Sequence, residues 1–277
     1  MKAGVGIFAF IPTPAINYLK FGSLHLHYYA LCVLVGILIS LFVSVHLFKI
    51  YKFNQNLIYD LAIWVIPAGI IGARVYHVIT SGSKYFSSTS SFLESFKFWQ
   101  GGLGIWGAVT AGIGAIWLFF KFRIQRNQTL ETPISFYLLL DLLTPGLAFA
   151  QAIGRWGNWF NGELFGKPSG VPWALKIPLD LRPPGYEKYL TFAPTFLYES
   201  LWCLGLGFLL FWLVKEPGKY SFSSGKVFWI YIFGYTLFRT FLETLRIDPG
   251  IMLGGMRLNF WVSGAICLIS AKLLVKR

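Results

Sequence analysis

A short segment at residues 154–166 brings together side chains that can bind an anion and move a proton. It reads GRWGNWFNGELFG and contains Arg155, Asn158, Asn161 and Glu163, framed by four glycines. A guanidinium presents a planar fork of donors that matches a phosphate, and the two amides add further donors. Glu163 can orient the arginine or accept a proton. The segment therefore favours a functional site over a plain loop, and its glycines allow tight turns and close approach of the backbone.

Two basic side chains lie in an apolar stretch before this segment. Arg74 and His77 are three residues apart and share one face of a predicted helix, beside the small residues Gly72 and Ala73. Arg74 can bind a ligand or extend toward lipid headgroups as a structural residue, whereas a structural role is favoured for His77. Asp141, midway along a later apolar stretch, is predicted to be structural, either by pairing with Arg74 or by capping a kinked helix.

Polar groups also recur at helical spacing after the segment. Tyr198 and Glu199 lie one turn inside a predicted helix. Arg239, Glu243 and Arg246 are spaced i, i+4 and i+7, so they form a polar stripe on another helix. A mutually satisfied Arg–Glu–Arg ladder would be structural. Two arginines with one local carboxylate nevertheless leave positive charge for an anion.

These side chains must be positioned by helices that cross a bilayer. The chain has 277 residues, of which 56% are hydrophobic and 13% charged, against about 25% charged in soluble domains. Seven apolar stretches approach the roughly 20 residues that a spanning helix needs. They are Leu26–Phe48, Leu57–Thr80, Gly102–Phe120, Pro133–Ile153, Pro194–Val214, Val227–Thr244 and Leu258–Leu274. The sequence predicts an all-α polytopic membrane protein, with residues 1–277 as one membrane domain.

The charge distribution predicts an orientation. Lys and Arg are densest in the short connections and the C-terminal tail, which should therefore face the cytoplasm and leave the N-terminus outside. Residues 154–193 are proline-rich, too polar to span, and fall on the outer side, so we expect a small extracytoplasmic cap between the fourth and fifth helices. The polar clusters then converge toward the outer side, where a phospholipid headgroup would reach them laterally from the bilayer.

Composition also argues against other classes. The net charge is +13, but no run of Lys or Arg exceeds two residues, and the basic residues lie between apolar stretches. This pattern indicates anionic lipid and membrane topology rather than nucleic acid. The cysteines Cys32, Cys203 and Cys267 lie within apolar stretches and match no zinc or redox spacing. No metal and no other cofactor are predicted.

The motifs resemble those of the bacterial prolipoprotein diacylglyceryl transferases. Residues 154–166 fit the pattern G-R-x-G-N-x-x-N-x-E-x-x-G, which closely matches the signature of that family. Further resemblances are spread over nearly the whole chain. They are Tyr28-Tyr29-Ala30-Leu31, Gly72-Ala73-Arg74, Gly101-Gly102-Leu103, Pro194-Thr195-x-Leu197-Tyr198-Glu199 and Phe238-Arg239-x-x-x-Glu243-x-x-Arg246.

The resemblance implies a reaction. The family moves a diacylglyceryl group from phosphatidylglycerol to the lipobox cysteine of a preprolipoprotein signal peptide, forming a thioether and releasing glycerol phosphate. Arg155 and Arg239 are then expected to clamp the phosphate and stabilise its developing charge. The remaining expected substrate-site residues are Arg74 and Arg246 on the headgroup, Asn158, Asn161, Glu163 and Glu243 orienting the arginines, and Tyr29, Tyr198 and Glu199 around the substrate.

The residue that takes up the thiol proton is left open by two departures from the family pattern. Trp106 stands where some members have His, and Ala193 stands where others have it. A thiol has a pKa of about 8.5 and needs ionisation to become a good nucleophile. His77 or Glu163 is therefore expected to assist its deprotonation.

Three other functions fit parts of the same pattern. An anionic-lipid transporter or flippase would also bury arginines, but it should continue its polar residues toward the cytoplasmic ends of the helices. A lipid-linked sugar transferase usually needs an acidic metal or base site, whereas the acids here are matched to arginines. A structural scaffold would not need so many arginines on one side. A transferase located in the bacterial cytoplasmic membrane is the preferred interpretation.

Overall fold

The computed structural model describes residues 10–22, 24–86, 93–96, 102–125, 134–216, 224–248 and 250–276. Its chain divides into two compact units, one formed by Met1–Ile50 with Leu140–Arg277 and the other by Tyr51–Leu139. Two predicted features, Gly101 in the third-helix motif and Pro133 at the start of the fourth stretch, lie outside the described residues.

Each of the seven predicted apolar stretches coincides with a long helix. These are α1 Tyr28–Ile50, α2 Asn56–Thr80, α3 Ile105–Phe119, α4 Phe136–Asn161, α5 Thr195–Val214, α6 Lys226–Glu243 and α7 Leu258–Lys276. A π-helical turn, Phe120–Ile124, extends α3. In the described part of the chain, six of these helices are long and apolar enough to cross a membrane. The helical, polytopic membrane class is therefore confirmed.

Helix α6 is the one long helix outside that set of six among the described residues. It is 18 residues long and carries Lys226, Arg239 and Glu243. Arg239 and Glu243 belong to the polar stripe that the sequence predicts, so two of the charged side chains that make this helix less apolar also belong to the predicted site.

The prediction that the fourth helix ends at Ile153 is wrong, because α4 continues to Asn161. Gly154 and Gly157 therefore lie within a helix and not in tight turns. Glycine is tolerated inside apolar helices when a neighbour packs against it. A Cβ on Gly157 would lie 2.5 Å from Cδ2 of Tyr29, so glycine is required there to admit the tyrosine ring. The signature begins on the last turns of a helix.

Seven short strands accompany the helices in the described residues, and the sequence did not predict them. A three-stranded sheet contains β1 Ile11–Pro12, β4 Leu175–Lys176 and β5 Thr191–Phe192, with β4 in the centre, parallel to β1 and antiparallel to β5. Hairpins are formed by β2 Tyr18–Phe21 with β3 Leu24–His27, and by β6 Met252–Leu253 with β7 Met256–Arg257.

Residues 162–193, which we call the cap segment, have their own apolar core. Phe165, Leu175, Ile177 and Phe192 are buried together with Phe196 of α5. Hydrogen bonds join this segment to α5 and to the residues just after α6, since the Thr195 hydroxyl donates to the Leu164 carbonyl and Lys167 N–H donates to the Leu245 carbonyl. The cap segment thereby holds the end of α4 against the ends of two other helices.

Within the unit Tyr51–Leu139, helices α2 and α3 pack closely through glycines. A Cβ on Gly72 would lie 2.5 Å from the Gly107 carbonyl oxygen, and a Cβ on Gly107 would lie 2.0 Å from the Gly72 carbonyl oxygen. The two backbones therefore touch where a larger side chain would separate them. The space that Gly72 leaves near Arg74 is thus filled by the neighbouring helix α3.

Asp141 has the structural role that the sequence predicts, although the helix that it caps is α6. Its carboxylate oxygens accept hydrogen bonds from the backbone N–H groups of Gly225 at 2.6 Å and Phe228 at 2.8 Å. These groups lie at the N-terminus of α6, where backbone donors lack helical partners and the helix dipole favours an anion.

Candidate active site

Glu199 joins two of the predicted functional arginines. Its Oε1 lies 2.7 Å from Nη2 of Arg155 on α4, and its Oε2 lies 3.1 Å from Nη1 of Arg239 on α6. Glu199 itself is on the second turn of α5 and is buried. Three helices therefore each contribute one charged side chain to a single cluster, which we call the Glu199 bridge: Arg155, Glu199 and Arg239.

Tyr235 is a further member of this environment that the predicted site omits. Its hydroxyl donates to Oε1 of Glu199 at 3.1 Å and accepts a hydrogen bond from Nη2 of Arg155 at 3.3 Å. Tyr235 precedes Arg239 by four residues, so one face of α6 presents both groups to Glu199. That spacing is the signal in the sequence that could have identified it.

A second cluster surrounds Glu243 at the end of α6. Its Oε1 lies 2.7 Å from Nη2 of Arg239 and 3.4 Å from Nη1 of Arg246, and its Oε2 lies 3.0 Å from Nε of Arg257. Asp248 contacts both Arg246, at 2.7 and 2.8 Å, and Arg257, at 2.8 and 3.2 Å. We call the closed set Glu243, Arg246, Asp248 and Arg257 the carboxylate ring. Its two carboxylates and two guanidiniums balance in charge.

The predicted site also omits Asp248 and Arg257. Arg257 is nine residues beyond Asp248 in sequence and returns to it through the β6–β7 hairpin. Gly254 and Gly255 at the hairpin tip have φ values of 56° and 77°, a conformation that glycine adopts without strain. The pair of glycines is the feature of the sequence that indicates a hairpin here, and the hairpin brings Arg257 back to Asp248.

The carboxylate ring sets the ionisation of Asp248. Burial alone would disfavour its charged form, but hydrogen bonds from Arg246 and Arg257 and their positive charges hold the pKa of Asp248 below its usual value. Asp248 is therefore a stable anion at neutral pH, and it keeps both arginines paired.

The amides and carboxylate of the signature form a third group of contacts. The side-chain nitrogens of Asn158 and Asn161 donate to Oε1 of Glu163 at 3.0 and 3.1 Å. The Asn158 oxygen in turn accepts a hydrogen bond of 3.5 Å from Nη1 of Arg155. Asn158 thus links Glu163 to the Glu199 bridge, and the structure brings these four signature residues together.

Two of the predicted tyrosines, Tyr29 and Tyr198, lie in the same compact unit as the Glu199 bridge. Tyr29, at the start of α1, packs its ring on Gly157 and is 40% exposed. The hydroxyl of Tyr198 accepts a hydrogen bond of 3.2 Å from the indole of Trp173 in the cap segment. Tyr198 also lines an apolar groove of about 490 Å³ between α5 and α6, together with Leu201, Trp202, Phe238, Phe241 and Leu245.

Arg74 and His77 belong to the unit Tyr51–Leu139, and their described contacts lie within it. The guanidinium of Arg74 donates to the backbone carbonyls of Ser95 and Glu94, each at 2.7 Å, and of Gly102 at 3.2 Å. The ring of His77 lies edge-on to that of Tyr85, with ring centroids 5.9 Å apart. These contacts support a structural role for both residues, and their participation in substrate binding or catalysis stays a prediction.

The charged clusters in the unit formed by Met1–Ile50 and Leu140–Arg277 are suited to binding an anion. The Glu199 bridge itself has two guanidiniums and one carboxylate, so it carries one net positive charge beside the neutral carboxylate ring, while the Glu163 carboxylate is linked to it through Asn158. Arginine forks bind phosphate oxygens through two parallel hydrogen bonds. No group of three or more His, Cys, Asp or Glu with metal-binding geometry is found among the residues that the structure describes, and the positive charge described here is that of guanidinium groups.

Comparison with known proteins identifies one family throughout. The family model for prolipoprotein diacylglyceryl transferase matches residues 17–276. A phosphatidylglycerol–prolipoprotein diacylglyceryl transferase of Streptomyces avermitilis is 38% identical over 269 residues, covering 96% of this chain and 74% of the relative. Proteins of the same name from Cutibacterium acnes and Bifidobacterium adolescentis are 42% and 39% identical, covering 90% and 94% of this chain and 80% and 78% of their own lengths.

Proposed function

Because this chain belongs to the prolipoprotein diacylglyceryl transferase family, we propose that it transfers a diacylglyceryl group from phosphatidylglycerol to the lipobox cysteine of a preprolipoprotein. Both substrate classes follow the names of the relatives, and the lipobox cysteine and the thioether product are what the resemblance to the family implies. The reaction is the first step of lipoprotein maturation.

The reaction exchanges one bond to carbon for another. The cysteine thiolate attacks the glyceryl carbon that bears the phosphate, a sulfur–carbon bond forms, and the carbon–oxygen bond breaks. The electron pair of that bond passes to the phosphate oxygen, so glycerol phosphate leaves with one more negative charge than the phosphodiester had. The thiol proton is taken by a base. The protein must therefore stabilise charge on the phosphate and accept one proton.

The observation that carries the proposal is the Glu199 bridge. Arg155 and Arg239 come from different helices, yet each lies within 3.1 Å of an oxygen of one carboxylate. A phosphate oxygen can replace a carboxylate oxygen as the partner of a guanidinium with similar geometry. Both arginines can then hold the same phosphate and stabilise the charge that develops as the carbon–oxygen bond breaks.

The neighbouring residues orient this pair. Asn158 and Tyr235 hold Arg155, and Glu243 holds Arg239 at 2.7 Å. Asn161 fixes Glu163, and Arg246 joins the site through Glu243. Tyr29 and Tyr198 border the substrate. The contacts of Arg74 with backbone carbonyls favour a structural role, and its expected role on the headgroup stays a prediction.

Glu163 is the base that the contacts favour. Both amide hydrogen bonds from Asn158 and Asn161 go to Oε1, and we assign proton acceptance to the other oxygen. Neutralising Glu163 in this way would leave the adjoining cationic groups with one more uncompensated positive charge, at the moment when the phosphate gains a negative one. His77 is the second candidate.

The site is proposed to face outward from the bacterial cytoplasmic membrane, with the N-terminus outside, the C-terminus in the cytoplasm and the cap segment extracytoplasmic. The charge distribution supports this orientation, with all seven long helices as the spans. A cysteine introduced at the exposed Leu179 should react with a membrane-impermeant maleimide in intact cells. Labelling only after lysis would show that the cap segment faces the cytoplasm and would contradict the proposed orientation.

The function is tested with purified protein, phosphatidylglycerol and a lipobox peptide. Mass spectrometry should find the diacylglyceryl thioether, with glycerol phosphate released in equal amount. Glu163→Gln should lower kcat by about 10²–10⁴-fold, the usual contribution of a general base, whereas His77→Gln should stay near wild type. If folded His77→Gln loses activity while Glu163→Gln keeps it, His77 and not Glu163 is the base. No product from folded wild type would direct attention to lipid transport and a flux assay.

A further inference from the structure

Arg257 lies outside the signature and outside the polar stripe of α6, yet it contacts the carboxylate that holds Arg239. Its Nε is 3.0 Å from Oε2 of Glu243, and it is buried beside Asp248. The opposite oxygen of Glu243 lies 2.7 Å from Arg239. Arg257 and Arg239 are therefore partners of the same carboxylate from its two sides.

We propose that Arg257 is a positioning residue for phosphatidylglycerol, because it neutralises Glu243 and so leaves the charge of Arg239 for the phosphate. This inference rests on the proposed function. Arg257 itself is not placed on the reacting atoms, and its effect passes through Glu243.

The charge distribution of the two clusters supports this role. The carboxylate ring has two carboxylates and two guanidiniums, one of which is Arg257. Without Arg257 the ring would have one excess negative charge, and Arg239 is the adjacent cation that would compensate it. The Glu199 bridge would then have no net positive charge to offer to an anion. With Arg257 present, the ring is balanced and the bridge keeps one positive charge.

Geometry supports the same role. Glu243 is 2% exposed, and each of its oxygens has a guanidinium nitrogen within 3.0 Å. The contact between Oε2 and Nε of Arg257 is an ion pair without hydrogen-bond geometry. Arg257 is fixed by two further contacts to Asp248, at 2.8 and 3.2 Å, and Asp248 is held by Arg246. Because the ring closes on itself, the position of the Glu243 carboxylate is set from the β6–β7 hairpin as well as from α6. Arg239 therefore receives a fixed partner rather than a mobile one.

Three variants of the full-length protein test this role in the transfer assay. Arg257→Gln removes the charge and should raise KM for phosphatidylglycerol about tenfold while kcat changes much less, since the loss of one nearby charge acts first on anion binding. Arg257→Lys keeps the charge but loses the fork and should lie between that variant and wild type. Asp248→Asn/Arg257→Gln restores the balance of the ring and leaves Glu243 in place. This double variant should recover KM to within about threefold of wild type, because removing both members of a buried pair is often neutral.

The matched control is Arg182→Gln. Arg182 is an arginine of the cap segment that holds the backbone carbonyls of Ile177 and Glu187 at 2.6–3.0 Å. Its loss should lower the melting temperature without raising KM for phosphatidylglycerol. A structural effect of Arg257 would resemble this control, whereas a positioning effect would raise KM.

The outcomes separate this inference from the proposed function. If wild type forms no thioether, the proposed function fails. If wild type is active and folded Arg257→Gln keeps its KM, Arg257 has no positioning role. If Arg257→Gln does not fold, the double variant decides, since a KM raised about tenfold in that folded, balanced protein would also overturn the inference.

Discussion

Arg74 and Arg239 are both largely buried in apolar helices, but they hold different partners. Arg74, in the unit Tyr51–Leu139, donates to three backbone carbonyls of residues 94–102. Arg239, in the other unit, lies between two carboxylates, Glu199 and Glu243. The first guanidinium holds the course of the chain after α2, while the second holds side chains that come from α5 and α6.

This difference separates arginines that stabilise a fold from arginines that can change partners. A carbonyl in a chain turn cannot leave its guanidinium without moving backbone, and an unsatisfied buried carbonyl costs about 1–3 kcal/mol. A carboxylate can yield to a phosphate of similar geometry, because one charge-assisted hydrogen bond replaces another. Arginines paired with carboxylates at the ends of several helices are therefore the better candidates for substrate binding.

Of the arginine variants, those at the Glu199 bridge are expected to have the largest effect. Arg155→Gln and Arg239→Gln should each lower kcat/KM about 10²–10³-fold, the loss seen when one preorganised donor to a developing oxyanion is removed. Arg155→Lys and Arg239→Lys retain the charge and should lose less. The value of kcat/KM is measured in the transfer assay on variants whose fold has been verified. Near-normal activity in both Gln variants would show that the Glu199 bridge has no part in catalysis.

A different effect is expected at Arg74. Arg74→Met should destabilise the protein by about 1–3 kcal/mol for each carbonyl left unsatisfied, while KM for phosphatidylglycerol changes little in the folded fraction. Thermal unfolding in detergent and transfer kinetics measure the two quantities separately. A raised KM with an unchanged melting temperature would show instead that Arg74 contacts the headgroup.

The smallest effect concerns Asp248 and acid. Because its pKa is lowered in the folded protein, Asp248 contributes stability that is present above the ordinary carboxyl pKa of about 3.9 and is lost as the pH falls through the folded value. Asp248→Asn should lower the melting temperature by about 2–4 °C at pH 7 and flatten its decline below pH of about 4. An unchanged acid profile in this variant would show that Asp248 carries no such contribution.

Much of the fold followed from apolar stretch length, since every predicted stretch is a helix. The end of α4 did not, because a glycine such as Gly157 is compatible with a turn and with close packing inside a helix, and only the ring of Tyr29 that packs on it decides between them. Strands of two residues, such as β4, give no periodic signal, so the small sheet of the cap segment was not predicted.

The candidate site was predictable where its residues share a helix. Arg239, Glu243 and Arg246 follow from helical spacing, and the signature follows from its density of polar groups. The partnership of Glu199 with both arginines was not predictable, because it depends on how three helices pack. Arg257 was missed for a similar reason, since the hairpin after α6 returns it to Glu243.

The central claim is that Arg155 and Arg239 bind the phosphate of the lipid, and equilibrium binding tests it most directly. Binding of phosphatidylglycerol and of diacylglycerol, which lacks the phosphate, would be measured for wild type, Arg239→Gln and Arg74→Met in detergent. Loss of a charge-assisted hydrogen bond should weaken phosphatidylglycerol binding by Arg239→Gln at least about tenfold. Its diacylglycerol binding, and both affinities of folded Arg74→Met, should stay near wild type. Equal phosphatidylglycerol affinities for wild type and folded Arg239→Gln would contradict the claim.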